Sequence, residues 1–194
     1  MAEEAQVRNS LCQAAQQLWM RGLLVADGGL VSAEVHRRRY LATPAGRRRA
    51  DLRPDQLITV DLGGVNVQPE PGITEDHWRP HRIAYQIGMY ADPAAREGAR
   101  PIGGTVLANP PAAEAMLALL PESPRLDPVG HPAIPVVSYH DGERGLEEAI
   151  SGSVVIAIRD VGLFAAHRSL HAAVNAIERA AHALGVTLLT GQRL

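Results

Sequence analysis

The sequence predicts an α/β domain, and three observations carry that expectation. Between His77 and Leu120 a helical stretch, a short apolar strand and a second helix follow one another. Trp78, Ile83, Ile87 and Tyr90 recur at helical spacing, and Gly104-Thr105-Val106-Leu107-Ala108 reads as a buried strand. Two more apolar runs near the C-terminus, Ser153 to Arg159 and Val161 to Ala166, read as buried strands paired with each other. The chain has 194 residues and 46% hydrophobic content, enough for one domain over 1–194 with a sizeable core.

Composition narrows the function classes. A net charge of −2 lacks the basic surplus of a protein that coats nucleic acid. No apolar run is long enough to span a bilayer, and the acidic, polar start is unlike a signal peptide, so a cytoplasmic protein without nucleic-acid or membrane partners is expected. Cys12 is the single cysteine and reads as a small core residue on the first helix, which rules out an intrachain disulfide and a cysteine zinc site. All nineteen basic residues are arginine. Without lysine there is no Schiff-base chemistry and no Walker-type phosphate loop.

In chain order, Ala2 to Gly22 is an amphipathic helix with Leu11, Ala14, Ala15 and Leu18 on one face and Gly22 as its stop. Gly28-Gly29-Leu30-Val31-Ser32 leads into a strand from Glu34 to Leu41 with an Arg37-Arg38-Arg39 tip. Thr43-Pro44-Ala45-Gly46 is either a tight turn between strands or an anion-facing loop using its N–H groups and hydroxyl. Arg47, Arg48 and Arg49 read as a solvated face. Glu75 and Asp76 suit the start of a helix, where acidic side chains meet the positive end of the helix dipole.

His77 and His81 lie one helical turn apart and share a face, but two ligands alone make a weak metal site. Asp92-Pro93 ends this helix. Asn109-Pro110-Pro111 stops the next strand and starts a helix from Ala112 to Leu120. Pro121 to Pro132 is a surface loop, Ala133 to Tyr139 a strand, and Tyr139-His140-Asp141 a polar turn or a proton-transfer cluster. Glu143 to Ser151 is helical, and the last helix runs from Ser169 to Leu184 with Gly185 as its stop.

These motifs resemble the class II aldolase/adducin family, typified by L-fuculose-phosphate aldolase. His77-Trp78-Arg79-Pro80-His81, continuing Ile83-Ala84-Tyr85, is similar to the family's E-W-R-x-H-x-x-x-Y. Thr43-Pro44-Ala45-Gly46 is similar to its L-I-T-P-S/T-G turn, and Val161-Gly162-Leu163-Phe164-Ala165 to its H-G-L-x-A. The resemblance covers nearly the whole chain. It implies a three-layer α/β/α domain with a mostly antiparallel central sheet, and a homo-oligomer, a tetramer, with a small-molecule cleft between subunits.

The same resemblance assigns candidate site residues. His77 stands where the family has its acid/base glutamate, and histidine can exchange protons near neutral pH. Ser32 keeps the serine of a phosphate-holding G-N-x-S motif, while Leu30 replaces its asparagine. Thr43 and Gly46 belong to the retained turn, Asn109 ends the strand, and Tyr139 matches a family tyrosine. Glu75 and Asp76 replace a serine pair that contacts phosphate, which disfavours a phosphosugar. The three zinc histidines of the family correspond to Leu107, Asn109 and Val161, so no metal ligand and no cofactor is expected.

Three readings follow from this pattern. The first is a non-catalytic binding or scaffold homologue. The second is a metal-independent lyase-type enzyme using His77 with Asn109, Ser32 and Tyr139. The third is a metal-dependent aldolase, a carbon–carbon lyase, with relocated ligands.

Overall fold

The computed structural model describes residues 2–25, 28–36, 39–61, 75–90 and 102–191. Its centre is an eight-stranded sheet in the order β3-β2-β1-β4-β8-β7-β6-β5. The strands are β1 (Leu30–His36), β2 (Arg39–Ala42), β3 (Ile58–Asp61), β4 (Gly104–Ala108), β5 (Arg125–Leu126), β6 (Ile134–Val137), β7 (Val155–Ile158) and β8 (Gly162–His167). All neighbouring pairs are antiparallel except β6 with β7, which are joined by a helical crossover, as a parallel pair requires.

Among the described residues, five α-helices cover the sheet: α1 (Ala2–Met20), α2 (Glu75–Tyr90), α3 (Pro111–Leu119), α4 (Gly142–Gly152) and α5 (Leu170–Thr190). Helices α1, α3 and α5 pack together on one face, and α2 packs with α4 on the other. This is the expected three-layer α/β/α arrangement. Strand alternation explains why each face has its own core. Val31, Ala33, Val106 and Ala108 point to the α1/α5 side. Leu30, Leu107, Phe164 and Ala166 point to the α2/α4 side. No described helix is long and apolar enough to cross a membrane.

Local chemistry sets several boundaries as the sequence suggests. Gly22 adopts φ +68° after α1. Its N–H bonds Trp19 O while the Leu23 N–H reaches back to Leu18 O, closing the helix end with the paired bonds of a Schellman motif. Ser169 caps α5 by accepting the Ala172 N–H. Cys12 is buried in the α1/α5 core, and burial raises its thiol pKa. The Asp92-Pro93 stop lies outside the described residues.

Three expectations need correction. The single strand from Glu34 to Leu41 is instead the hairpin of β1 and β2, paired Ser32↔Ala42 and Glu34↔Tyr40. Gly185 does not end α5, which continues to Thr190 and stops at Gly191 in the left-handed region. A glycine inside a helix costs only about 1 kcal/mol, and the next turn is tied down: Thr187 is buried, its hydroxyl donates to Ala183 O at 2.8 Å and accepts the Val129 N–H at 2.9 Å. Within the expected loop from Pro121 to Pro132, Arg125 and Leu126 form the short edge strand β5.

Candidate functional site

Beneath α2, four polar side chains meet in the middle of an otherwise apolar layer. Ser32 on β1 and Thr105 on β4 are direct cross-strand partners, and both point to the α2 side. His81 and Tyr85 lie one helical turn apart on α2 and reach down to them. The Ser32 hydroxyl sits 2.8 Å from His81 Nδ1, 2.8 Å from the Tyr85 hydroxyl and 2.7 Å from Thr105 Oγ1. Thr105 Oγ1 is also 2.7 Å from His81 Nδ1 and 3.2 Å from the Tyr85 hydroxyl. Ser32, His81 and Thr105 have no solvent exposure.

Proton counting constrains this cluster. Three hydroxyls supply three protons, and the imidazole adds a fourth only when its proton is on Nδ1, so the five contacts cannot all be hydrogen bonds at once. The Nδ1–H tautomer satisfies more of them and leaves Nε2 as a bare acceptor. His81 Nε2 and Trp78 Nε1 are buried atoms with no hydrogen-bond partner among the described residues. The imidazole stacks on Trp78 at 5.7 Å and meets Phe164 edge-on at 5.1 Å. Tyr85 stacks on Tyr40 at 3.9 Å.

Burial, then the neighbouring His77, pushes the His81 pKa well below its usual range, so the ring is neutral. Burial likewise raises the Tyr85 phenol far above its usual value, against the opposing hydrogen bonds from Ser32 and Thr105. A serine beside a histidine invites comparison with a nucleophile–base pair. Here both are sealed from solvent and spend their hydrogen bonds on each other. The cluster therefore fastens α2 to β1 and β4.

The other candidate residues are dispersed around this centre. His77 is half-buried in the first turns of α2, one turn from His81. Thr43 is fully buried; its hydroxyl accepts the Val31 N–H at 3.2 Å and its own N–H bonds Val31 O at 3.0 Å. Gly46 has φ +66° with nothing near the position of a β-carbon. Tyr139 lies in a short 3-10 turn, with the Arg79 guanidinium 4.9 Å over its ring. The Tyr139-His140-Asp141 segment is a capped turn in which Ser138 accepts the His140 N–H.

Asn109 follows β4 directly and packs against the Gly28-Gly29 turn, where its amide nitrogen would lie 2.6 Å from a β-carbon on Gly28. Its N–H bonds Leu23 O at 3.1 Å, and its Oδ1 is buried without a partner among the described residues. The side chains of Glu75 and Asp76 lie outside the described residues.

Arg49 corrects the expected solvated arginine face. It is 1% exposed. Its guanidinium donates to Pro44 O at 2.6 Å, Arg47 O at 3.0 Å and Gly29 O at 3.0 Å, tying the Thr43–Gly46 turn to the glycine turn. Arg48 remains largely exposed, stacked 5.2 Å over Trp19.

A zinc ion does not fit the residues present where the resemblance would place it. Leu107 is 1% exposed within the α2-side apolar cluster, and Val161 packs against the same cluster. Neither offers a donor atom, which leaves a single amide at Asn109. Among the described residues no three His, Cys, Asp or Glu side chains are grouped to hold a metal ion.

Comparison with known proteins agrees with this architecture. The family profile of the Class II Aldolase and Adducin N-terminal domain matches residues 9–188. YgbL of Escherichia coli, described as a putative aldolase/epimerase/decarboxylase, superposes with a TM-score of 0.80 at 18% identity, over 98% of this chain and 92% of that one. L-fuculose-1-phosphate aldolase of Thermus thermophilus superposes with a TM-score of 0.75 at 23% identity, over 96% and 97% of the two chains. An aldolase II superfamily protein of Pseudomonas syringae gives 0.79 at 16% identity, over 98% and 77%. No curated protein sequence gives a significant match. At these identities the superpositions speak to fold, whereas the profile spans most of the residues: the chain belongs to the class II aldolase and adducin family.

Proposed function

We propose that this chain is a non-catalytic member of its family, a binding or scaffold homologue that keeps the aldolase shape without the metal chemistry. The observation that carries the reading is the apolar filling at the ligand positions, where Leu107 and Val161 join one hydrophobic cluster. Converting such positions to a metal site takes more than one substitution, because each ligand needs its own space and second partner. The reading includes a homo-oligomer, a tetramer by family analogy, and a small-molecule cleft bordered by Asn109, Gly46 and Tyr139. Ser32 and Thr43 act from beneath the surface, as supports rather than ligand contacts, since both are fully buried.

Metal content and light scattering on the purified full chain, after incubation with zinc and desalting, test this reading. The expected result is an oligomer carrying far less than one zinc per chain. Stoichiometric zinc that disappears in His77→Ala would overturn it. One observation favours a second reading, a metal-independent lyase: His77 stays partly open to solvent while His81 is sealed. Activity that is indifferent to chelators and abolished by His77→Ala would decide for it.

A further inference from the structure

We propose that the groove between the end of α1 and the outer side of α5 binds a small oxyanion, a phosphate monoester or a carboxylate. The groove is open to solvent, has a volume of about 530 Å³ and is lined by Arg21, His167, Asn175, Glu178, Arg179 and His182. That volume suits a small organic molecule.

Its charge arrangement favours an anion. The one carboxylate in the lining, Glu178, has a partner at each oxygen: Oε1 accepts from Gln17 Nε2 at 2.6 Å and Oε2 pairs with Arg21 at 2.5 Å. Glu178 thereby holds Arg21 at the rim, and most of the Arg21 donors remain for a ligand. Arg179, from the next position of α5, has no acidic partner among the described residues. Guanidinium groups present paired N–H donors that match phosphate and carboxylate oxygens. His167 lines the same groove, where its Nδ1 accepts the Arg168 N–H at 2.9 Å. His182 completes the wall one turn beyond Arg179. No metal accounts for the grouping, because its histidines and glutamate are not among any metal-competent set in the described residues.

The groove is separate from the family cleft, so this proposal stands or falls independently of the reading above. His167 pairs with Gly104, whereas Asn109 follows Ala108 at the other end of β4. At about 3.3 Å per residue, the two ends lie about 16 Å apart along the strand.

Isothermal titration of the full chain with inorganic phosphate, glycerol phosphate and citrate at constant ionic strength tests the assignment. Saturable binding of at least one probe is expected, weakened about tenfold in Arg179→Gln, which corresponds to about 1.4 kcal/mol. His182→Gln should weaken it less, and Arg125→Gln, an exposed arginine on edge strand β5, should leave it unchanged. Imidazole signals of His167 and His182 should shift during the titration. Binding of the phosphates alone assigns a phosphoryl ligand, and of citrate alone a carboxylate ligand. Absence of saturable binding at millimolar concentration, or equal affinity in Arg179→Gln and the parent chain, would overturn the proposal.

Discussion

Ser32 Oγ lies 2.8 Å from His81 Nδ1, and neither residue is exposed to solvent. Ser32 touches His81, Tyr85 and Thr105 at once. Ser32→Ala removes one hydroxyl and leaves the others with fewer partners in a dry layer. The expected loss is about 1–3 kcal/mol, read as a lower urea midpoint. Ser32→Thr keeps the hydroxyl and should lose less. Equal stability of Ser32→Ala and the parent would remove the cluster's fastening role.

Stability should also depend on pH through His81. Burial holds its folded-state pKa below the unfolded value, so the unfolded chain takes up the proton first. The contribution of the neutral ring is therefore complete above about pH 6.5. It falls by about 1.4 kcal/mol per pH unit below that, until the folded-state pKa is reached. His81→Gln removes this one proton from the balance. Its unfolding free energy should decline less steeply between pH 7 and pH 5 than that of the parent. Matching slopes would place the proton uptake elsewhere.

Arg49 gives a prediction of a different kind, because its guanidinium reaches backbone carbonyls on two separate turns. Charge alone cannot replace it. Arg49→Lys keeps the charge, but one ammonium cannot span Pro44 O and Gly29 O as the fork does. The expected cost is about 2–3 kcal/mol, and hydrogen exchange should quicken at the glycine turn and at the Thr43–Gly46 turn together. Exchange confined to one of the two turns would contradict the tie between them.

What the sequence revealed depended on whether the signal was local. Strand β4 was legible to the residue, since an apolar run bounded by Gly103 and by Asn109-Pro110 can do little else. The stop at Gly22 is legible because a helix face ends there, while Gly185 misleads because beyond it Thr187 is buried and Leu188 packs on the core. The β1/β2 hairpin was hidden by three consecutive arginines, which carry no alternation to mark a reversal. His81 and Tyr85 at helical spacing were visible as a pair. Their partners were not, because Ser32 and Thr105 are 73 positions apart and meet only through the β1–β4 register. Arg49 reads as exposed in the sequence for the same reason, since its acceptors lie on two separate turns. The residue types at 107, 109 and 161 are plain in the sequence, whereas the packing of Leu107 and Val161 against one apolar cluster is not.

Gly162 tests the strand end that the family motif occupies. It has φ +134°, and a β-carbon there would lie 2.2 Å from Ala108 O and 3.1 Å from Asn109 Cα. Both the backbone conformation and the space exclude a side chain, since the obstacle is main chain on the neighbouring strand. Gly162→Ala must therefore push β8 away from the end of β4 or twist the turn after Asp160. The expected loss exceeds about 2 kcal/mol, with the Asn109 and Leu163 amide signals displaced most. Gly185→Ala serves as the contrast: that position is helical and nothing lies within 4 Å of a β-carbon. It should gain up to about 1 kcal/mol. If Gly162→Ala unfolds at the same urea concentration as the parent, the close approach of β8 to Ala108 is not a constraint on the fold.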